Sequence, residues 1–248
     1  MNRSSSIAFA LLIVAAGSVR AQTGATLLAG SLKSLGSRVE GLSLSGAAEF
    51  MAGATDEAGS FTAQCALNGN SQVNLQLGEF SRAETRQTAA GTPSGSWTDE
   101  QGISHAMAGH NVITPASWFC PAVMISDIVN NPALSVKFVG QESKNGKSVD
   151  HVVVSALPID STSVQMWMAS LSQTDIFLDS SSLLPVEIDF NVHPDNNAAV
   201  NIPVEIRFSN YVESAGVWQP ATIEKYLNST LTLALQTSSS TPSLASTN

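Results

Sequence analysis

Apolar and polar side chains alternate with a period of two along most of the chain. In QVNLQLGEF the alternation places Val73, Leu75 and Leu77 on one face. Such alternation is typical of strands with one buried and one solvated face, and it favours an antiparallel sheet. The same alternation predicts a pair of strands with a break at Gly216 in residues 202–233, which read IPVEIRFSNYVESAGVWQPATIEKYLNSTLTL.

Helical spacing interrupts the alternation in three places. A first short helix is predicted in residues 27–38, which carry a stripe of leucines. Pro121 begins a second helix, since the first turn tolerates proline, and the pair Asn131-Pro132 ends it because the residue before proline avoids helical backbone angles. A third helix is predicted in residues 164–171 and carries Val164, Trp167, Met168 and Leu171 on one face.

The remaining segments predict ten or eleven strands. Residues 134–156 are the clearest hairpin, because Asn145-Gly146 suits a tight primed turn between two alternating arms. A meander of this length usually curls or closes, and inserted helices then bury their apolar stripes on its concave side. We therefore predict a mainly β (α+β) protein, with a large curved antiparallel sheet or incomplete barrel and two or three short helices covering the concave face.

The first residues have the features of a secretory signal peptide. Arg3 is followed by an apolar run over residues 7–16 and a small-residue cleavage site before Gln22. The run is shorter than the roughly 20 residues that a membrane-spanning helix needs. We predict a signal peptide at 1–21 and an exported protein, periplasmic or secreted, with no transmembrane segment.

The rest of the chain is predicted to be one domain with a tail. No linker rich in proline, glycine and serine divides residues 22–236, which we interpret as a single β domain. Residues 237–248 contain few apolar side chains, and their composition predicts disorder.

The charge balance excludes two classes of partner. Without the signal peptide the chain keeps nine basic and twenty acidic residues. Binding to nucleic acid or to an anionic membrane surface requires clustered cations, so neither partner is expected.

Two cysteines, Cys65 and Cys120, lie in a chain that is expected to reach an oxidising compartment. They form either a disulfide, which would close a loop of about 55 residues, or two buried free thiols. The sequence leaves both alternatives open.

Motifs for catalysis or metal binding are absent from the sequence. The four histidines lack zinc-site spacing, and no serine lies in a nucleophile-elbow motif. Glu187 and Asp189 fall on one face of a predicted strand, where they are interpreted as a solvated pair in preference to a glycosidase dyad. We predict no catalytic residue, no metal, no cofactor and no enzymatic activity.

Four segments carry a resemblance to a known family. They are Gly-Ser-Trp at 95–97, IFLDSSSLLP at 176–185, IRFSNY at 206–211 and GVWQP at 216–220. In these segments and in the order of its elements, the chain resembles the periplasmic lipoprotein carriers of the LolA and LolB type, and the related RseB-like proteins. The resemblance implies a β half-barrel that encloses acyl chains in an apolar cavity under a helical lid.

Aromatic and methionine side chains are the candidates for lining such a cavity, although they could equally fill a closed core. The predicted ligand-binding residues are Leu75, Leu77, Trp118, Phe119, Met124, Trp167 and Met168. The predicted function is binding of an apolar small molecule, a lipid acyl chain or a lipidated partner, with an envelope protein as a further candidate partner. The alternative is a closed-core structural or protein-interaction module of the cell envelope.

Overall fold

The computed structural model describes residues 22–36, 39–157 and 162–244. The described residues form four helices: α1 (Gly24–Leu35), α2 (Gly109–Val112), α3 (Pro121–Asn130) and α4 (Ser163–Leu171). They also form thirteen strands: β1 (Val39–Ala52), β2 (Thr55–Ala66), β3 (Asn70–Leu77), β4 (Phe80–Ala89), β5 (Thr92–Thr98), β6 (Ser104–Ala106), β7 (Leu134–Lys144), β8 (Lys147–Ala156), β9 (Thr174–Asp179), β10 (Pro185–Val192), β11 (Ile202–Ser214), β12 (Val217–Leu227) and β13 (Thr230–Leu244). The predicted signal peptide at 1–21 lies outside the described residues.

All thirteen strands belong to one antiparallel sheet, in the order β6-β5-β4-β3-β2-β1-β13-β12-β11-β10-β9-β8-β7. Within the described residues β6 and β7 are the two edges, so the curved sheet does not close into a barrel. The predicted mainly β class, the antiparallel sheet and the hairpin with its tip at Asn145-Gly146 are confirmed. The strands number thirteen instead of ten or eleven.

The first and last strands are neighbours in the middle of the sheet. β1 pairs with β13 from Val39 opposite Leu244 to Phe50 opposite Leu233. The prediction of disorder from residue 237 onward is therefore wrong for residues 237–244, which form the end of β13. Their serines and threonines bury little apolar surface, but β1 offers them a ladder of backbone hydrogen bonds. Residues 245–248 lie outside the described part of the chain.

Helices α1 and α3 pack in the core on the inner face of the sheet. α1 begins at a capping box formed by Thr23 and Thr26, which satisfies free backbone N–H groups. α3 has Pro121 in its first turn and buries most of its side chains, as predicted for this segment. Inner-face residues of ten of the thirteen strands complete this single core.

A disulfide fixes α3 to the sheet. The structure joins Cys65 of β2 to Cys120, the residue before α3, and both side chains are buried. A loop of this length contributes about 4 kcal/mol on the chain-entropy model.

Helix α4 forms where the sequence predicts a helix, but it does not cover the concave face. Its contacts are mainly with β8, and four large apolar side chains of this helix are exposed. They are Val164, Met166, Trp167 and Met168. The core already holds α1 and α3 on its inner face, and α4 therefore remains outside it.

Candidate binding cavity

An apolar cavity of about 340 Å³ lies on the inner face of the sheet. It is partly open to solvent. Its wall is formed by β3, β4 and β5 on one side, by β11, β12 and β13 on the other, and by the end of β1 between them. The lining residues are Phe50, Met51, Ala52, Val73, Leu75, Arg82, Ala83, Glu84, Trp97, Thr98, Trp118, Val192, Val204, Lys225, Leu227, Thr232 and Leu233.

Strand alternation makes most of this wall apolar. Val73 and Leu75 of β3 and Val204 of β11 point inward because each lies at the buried phase of its strand. Trp118 comes from the segment before α3, is 2% exposed, and packs edge-on against Phe119 with ring centroids 5.2 Å apart. The cavity is thus an unfilled part of the core.

Charged side chains of β4 interrupt the apolar wall. Arg82, Glu84 and Arg86 follow one another at a spacing of two and pair in register with Leu75, Val73 and Ser71 of β3. They therefore share the inner face of the sheet with apolar neighbours. Such placement is costly unless each charge finds a partner.

All three charges on β4 have partners. Arg82 forms an ion pair with Glu100 and lies over the ring of Phe50. Arg86 holds Glu84 at 3.1 Å through its Nε. The β4 charges therefore occur in two compensated pairs.

Lys225 of β12 is the second basic side chain that lines the cavity, besides Arg82. Its Nζ lies 4.6 Å from the ring centroid of Trp118, a cation–π distance. In the described part of the chain, this Nζ forms no ion pair and no hydrogen bond. The ammonium group therefore has donors that can bind a ligand.

The environment shifts the pKa values of Glu84 and Lys225. Burial alone would raise the pKa of Glu84, but the positive charges of Lys225 and Arg86 outweigh it and hold this pKa below its ordinary value. Burial lowers the pKa of Lys225, and Glu84 opposes this effect while Arg86 adds to it. Desolvation is thus the dominant cost of the lysine charge.

The seven residues predicted to bind a ligand are found in three different settings. Leu75 and Trp118 line the cavity. Leu77, Phe119 and Met124 are buried in the core and are not among the cavity-lining residues.

The other two belong to α4. Trp167 is 50% exposed and Met168 is 42% exposed, and neither lines the cavity. The structure therefore does not bring the seven residues together.

Sequence reasoning missed the charged residues of the wall, although a signal for them exists. In TIEKYL, Lys225 follows Ile223 by two residues and lies at the inward phase of β12. In FSRAETRQTA, three charged side chains recur at a spacing of two beside an alternating apolar strand. A charge at the buried phase of a strand is a reason to expect a functional or paired group.

Arg86 also anchors the segment that bridges the open side of the sheet. Its Nη1 donates to the carbonyl oxygens of Asn111, Val112 and Thr114 at 2.8–3.3 Å. Asn111 in turn exchanges two hydrogen bonds with the backbone of His193, in the loop between β10 and β11. The α2 segment therefore connects β4 with the far half of the sheet beside the cavity.

A second charged cluster lies on the outer face of the sheet. Glu187, which was expected to be solvated, is fully buried. Lys144, from the tip of the β7–β8 hairpin, contacts Glu187 at 2.8 Å and Asp189 at 2.6 Å. The expectation of a solvated pair is wrong because the hairpin tip covers these carboxylates.

The structure explains this cluster as an ion network. Lys144 lies over the ring of Phe177 at 4.1 Å, and Arg207 contacts Glu187 at 3.4 Å. Both carboxylates are thus bound to basic side chains. Within the described residues, no three His, Cys, Asp or Glu side chains cluster so that they could hold a metal ion.

Solved structures share the fold of this chain. A LolA superfamily protein from Nitrosomonas europaea superposes with a TM-score of 0.56 at 12% identity, over 91% of this chain and 96% of the other. The fold is LolA-like. A DUF1329 family protein from Desulfovibrio piger gives a TM-score of 0.55 at 9% identity, with 90% and 93% of the two chains covered. The LolA-like resemblance stated from the sequence is confirmed at the level of the fold.

A third solved structure is that of a candidate outer membrane lipoprotein-sorting protein domain from Vibrio parahaemolyticus. Its TM-score is 0.53 at 11% identity, over 87% of this chain and 90% of that domain. No protein-family model and no curated protein sequence matches the chain. In the described ranges, no helix has both the length and the apolar character to span a membrane.

Proposed function

We propose that this LolA-like chain is an exported, non-enzymatic protein that binds an apolar ligand, a lipid acyl chain or a lipidated partner, in the cavity. The observation that carries the proposal is a cavity of about 340 Å³ with a mostly apolar wall. This volume falls in the range of small-molecule sites, about 300–1,000 Å³. The fold shared with a candidate lipoprotein-sorting domain supports the same class of ligand.

The paired acidic and basic groups of the cavity support binding in preference to catalysis. Glu84 is held by Arg86, and Arg82 is held by Glu100. A general acid or base needs a perturbed pKa together with a free position beside its substrate. These paired groups instead stabilise the wall.

Uptake of an apolar fluorescent probe, N-phenyl-1-naphthylamine, by the native protein tests the proposal. We expect saturable uptake of one probe per chain. Leu75→Trp should weaken uptake strongly, because the larger ring fills the cavity without burying a charge. Val164→Trp is the matched control, since Val164 is 69% exposed on α4 and lies away from the cavity.

Two results would count against a binding cavity: no saturable uptake by the wild-type protein, or equal uptake by the two tryptophan variants. The thermal unfolding midpoint of each variant separates loss of the cavity from loss of the fold. Mass spectrometry of the native protein purified from cell envelopes then identifies the class of a retained lipid.

The second candidate function is a protein-interaction module of the envelope. The exposed apolar side chains of α4, among them Val164, Met166 and Trp167, favour it, because exposed apolar patches often mark contact surfaces. This candidate predicts no stoichiometric probe uptake. The experiment on the wild-type protein therefore distinguishes the two functions.

A further inference from the structure

The basic side chains around the cavity are not equally compensated. Arg82 has Glu100, and Arg86 has Glu84. Lys225 lies over the face of Trp118 at 4.6 Å and shares the carboxylate of Glu84 with Arg86. Two basic side chains therefore share one carboxylate, which leaves one positive charge in excess beside the cavity, in a chain whose net charge is −9.

A second donor beside Lys225 also lacks a partner. Trp118 is 2% exposed, and its indole Nε1 is buried without a hydrogen bond. This N–H lies near enough to Glu84 to help lower the pKa of that carboxyl, yet it does not reach hydrogen-bond geometry. A buried unpaired donor costs free energy, and such groups usually have a partner in proteins.

The size of the cavity limits what can occupy it. A dry cavity of about 150 Å³ accommodates one benzene molecule. Since benzene has six carbon atoms, each carbon atom needs about 25 Å³ of cavity volume. On that scale a cavity of about 340 Å³ holds roughly 14 non-hydrogen atoms. One acyl chain of about twelve carbons fits, whereas two or three such chains do not.

We infer that the ligand is a single acyl chain with an anionic terminal group, and that this group pairs with Lys225 beside the indole of Trp118. The inference rests on the proposed function and specifies its ligand. A carboxylate or a phosphate monoester has the required chemistry. It accepts a charge-assisted hydrogen bond from Nζ and a second bond from the indole N–H.

The energetics of Lys225 favour such a ligand. Burial lowers the pKa of Lys225, since few groups replace the water that the ammonium loses. A bound anion supplies the missing counter-charge and raises this pKa again. A neutral ligand of the same length fills the cavity but supplies no counter-charge to the lysine.

Displacement of N-phenyl-1-naphthylamine by three twelve-carbon ligands tests the inference on the wild-type protein. The ligands are dodecanoate, monododecyl phosphate and dodecanol. Since hydrogen bonds between charged groups are stronger than those to a neutral hydroxyl, we expect at least one anion to bind about tenfold more tightly than dodecanol. The carboxylate and phosphate ligands show which anionic group the site prefers.

Variants assign the difference to Lys225. Lys225→Met should bring the anions to the affinity of dodecanol and leave dodecanol binding within about twofold of wild type, since the variant keeps the apolar stem. Lys225→Arg should retain the preference for anions. Lys147→Met is the control, because Lys147 is an exposed lysine of β8 outside the cavity.

The outcomes separate this inference from the proposed function. If no ligand and no probe binds, the proposed function itself fails. If dodecanol and the anions bind wild type equally, or if Lys225→Met weakens all three ligands alike, the binding function stands and the anionic preference is overturned. Should Lys225→Met fail to fold, the wild-type comparison of the three ligands decides alone.

Discussion

At the scale of single residues, Glu187 has the most buried charge of the outer-face cluster. It contacts Lys144 at 2.8 Å and Arg207 at 3.4 Å, and its own side chain is inaccessible to solvent. A buried carboxylate is tolerated only when its partners compensate for lost hydration. The cluster thus fixes the β7–β8 hairpin tip against β10.

Glu187→Ala should destabilise the protein by about 3 kcal/mol, because Lys144 and Arg207 lose their shared partner and a cavity remains. Urea denaturation measures the loss. Glu205→Ala is the matched control, since Glu205 binds the same Arg207 at 2.8 Å but is partly exposed. It should cost less than about 1 kcal/mol. Equal losses in the two variants would show that burial of Glu187 is unimportant.

Asp189 makes stability depend on pH. Burial and the neighbouring charge of Glu187 raise the pKa of Asp189 to about 7, although Lys144 opposes them. Between the unfolded value near 4 and the folded value, the folded chain holds a proton that the unfolded chain has lost. The contribution of Asp189 to stability is therefore greatest below pH 4 and decreases as the pH rises to about 7.

Asp189→Asn tests this dependence, because the amide does not titrate. We expect the wild-type free energy of unfolding to decrease relative to that of Asp189→Asn between pH 4 and 7, and the difference to be constant above pH 8. Urea titrations at a series of pH values measure both proteins. Parallel curves across this window would show that Asp189 does not titrate with a raised pKa.

At the scale of elements, the end of β13 illustrates how pairing outweighs composition. Residues 237–244 lie opposite β1, with Thr237 facing Gly46 and Leu244 facing Val39. A chain that ends at residue 236 should lose about 3 kcal/mol or more, since each ladder hydrogen bond contributes about 1 kcal/mol. A chain that ends at Leu244 keeps all of β13 and is the control. Identical urea midpoints for the two truncations would contradict the paired arrangement.

The helices and hairpins that were predicted correctly from the sequence are those that neighbouring residues determine. Asn145-Gly146 supplies a turn, and Pro121 supplies a helix start, so neither depends on distant residues. The end of β13 depends on β1, which lies almost two hundred residues earlier, and its composition carries no trace of that partner. Local chemistry therefore predicted the fold class but not the extent of this strand.

The site was harder to predict for the same reason. Trp118, just before α3, and Trp167, on α4, both lie in apolar segments, yet one is buried beside the cavity and the other is half exposed. The packing of α1 and α3 decides between these environments, and it is not a local property. Lys225 was detectable in principle, because its phase in β12 places it inward.

At the scale of the whole molecule, the sheet consists of two runs of sequence neighbours joined at one place. Each strand from β1 to β6 pairs with the next in the chain, and so does each strand from β7 to β13. Among the strands that the structure describes, only the β1–β13 ladder joins the two runs. The continuity of the sheet thus depends on one long-range pairing, between β1 and β13.

This pairing sets an order of events during folding. Hairpins within each run can form from nearby residues, whereas β1 must wait for β13, which lies almost two hundred residues later in the chain. Phe50 of β1 and Leu233 of β13 face each other at the join, and both line the cavity. The cavity therefore does not exist until β13 has docked on β1, and the proposed ligand can enter it only during or after that stage of folding.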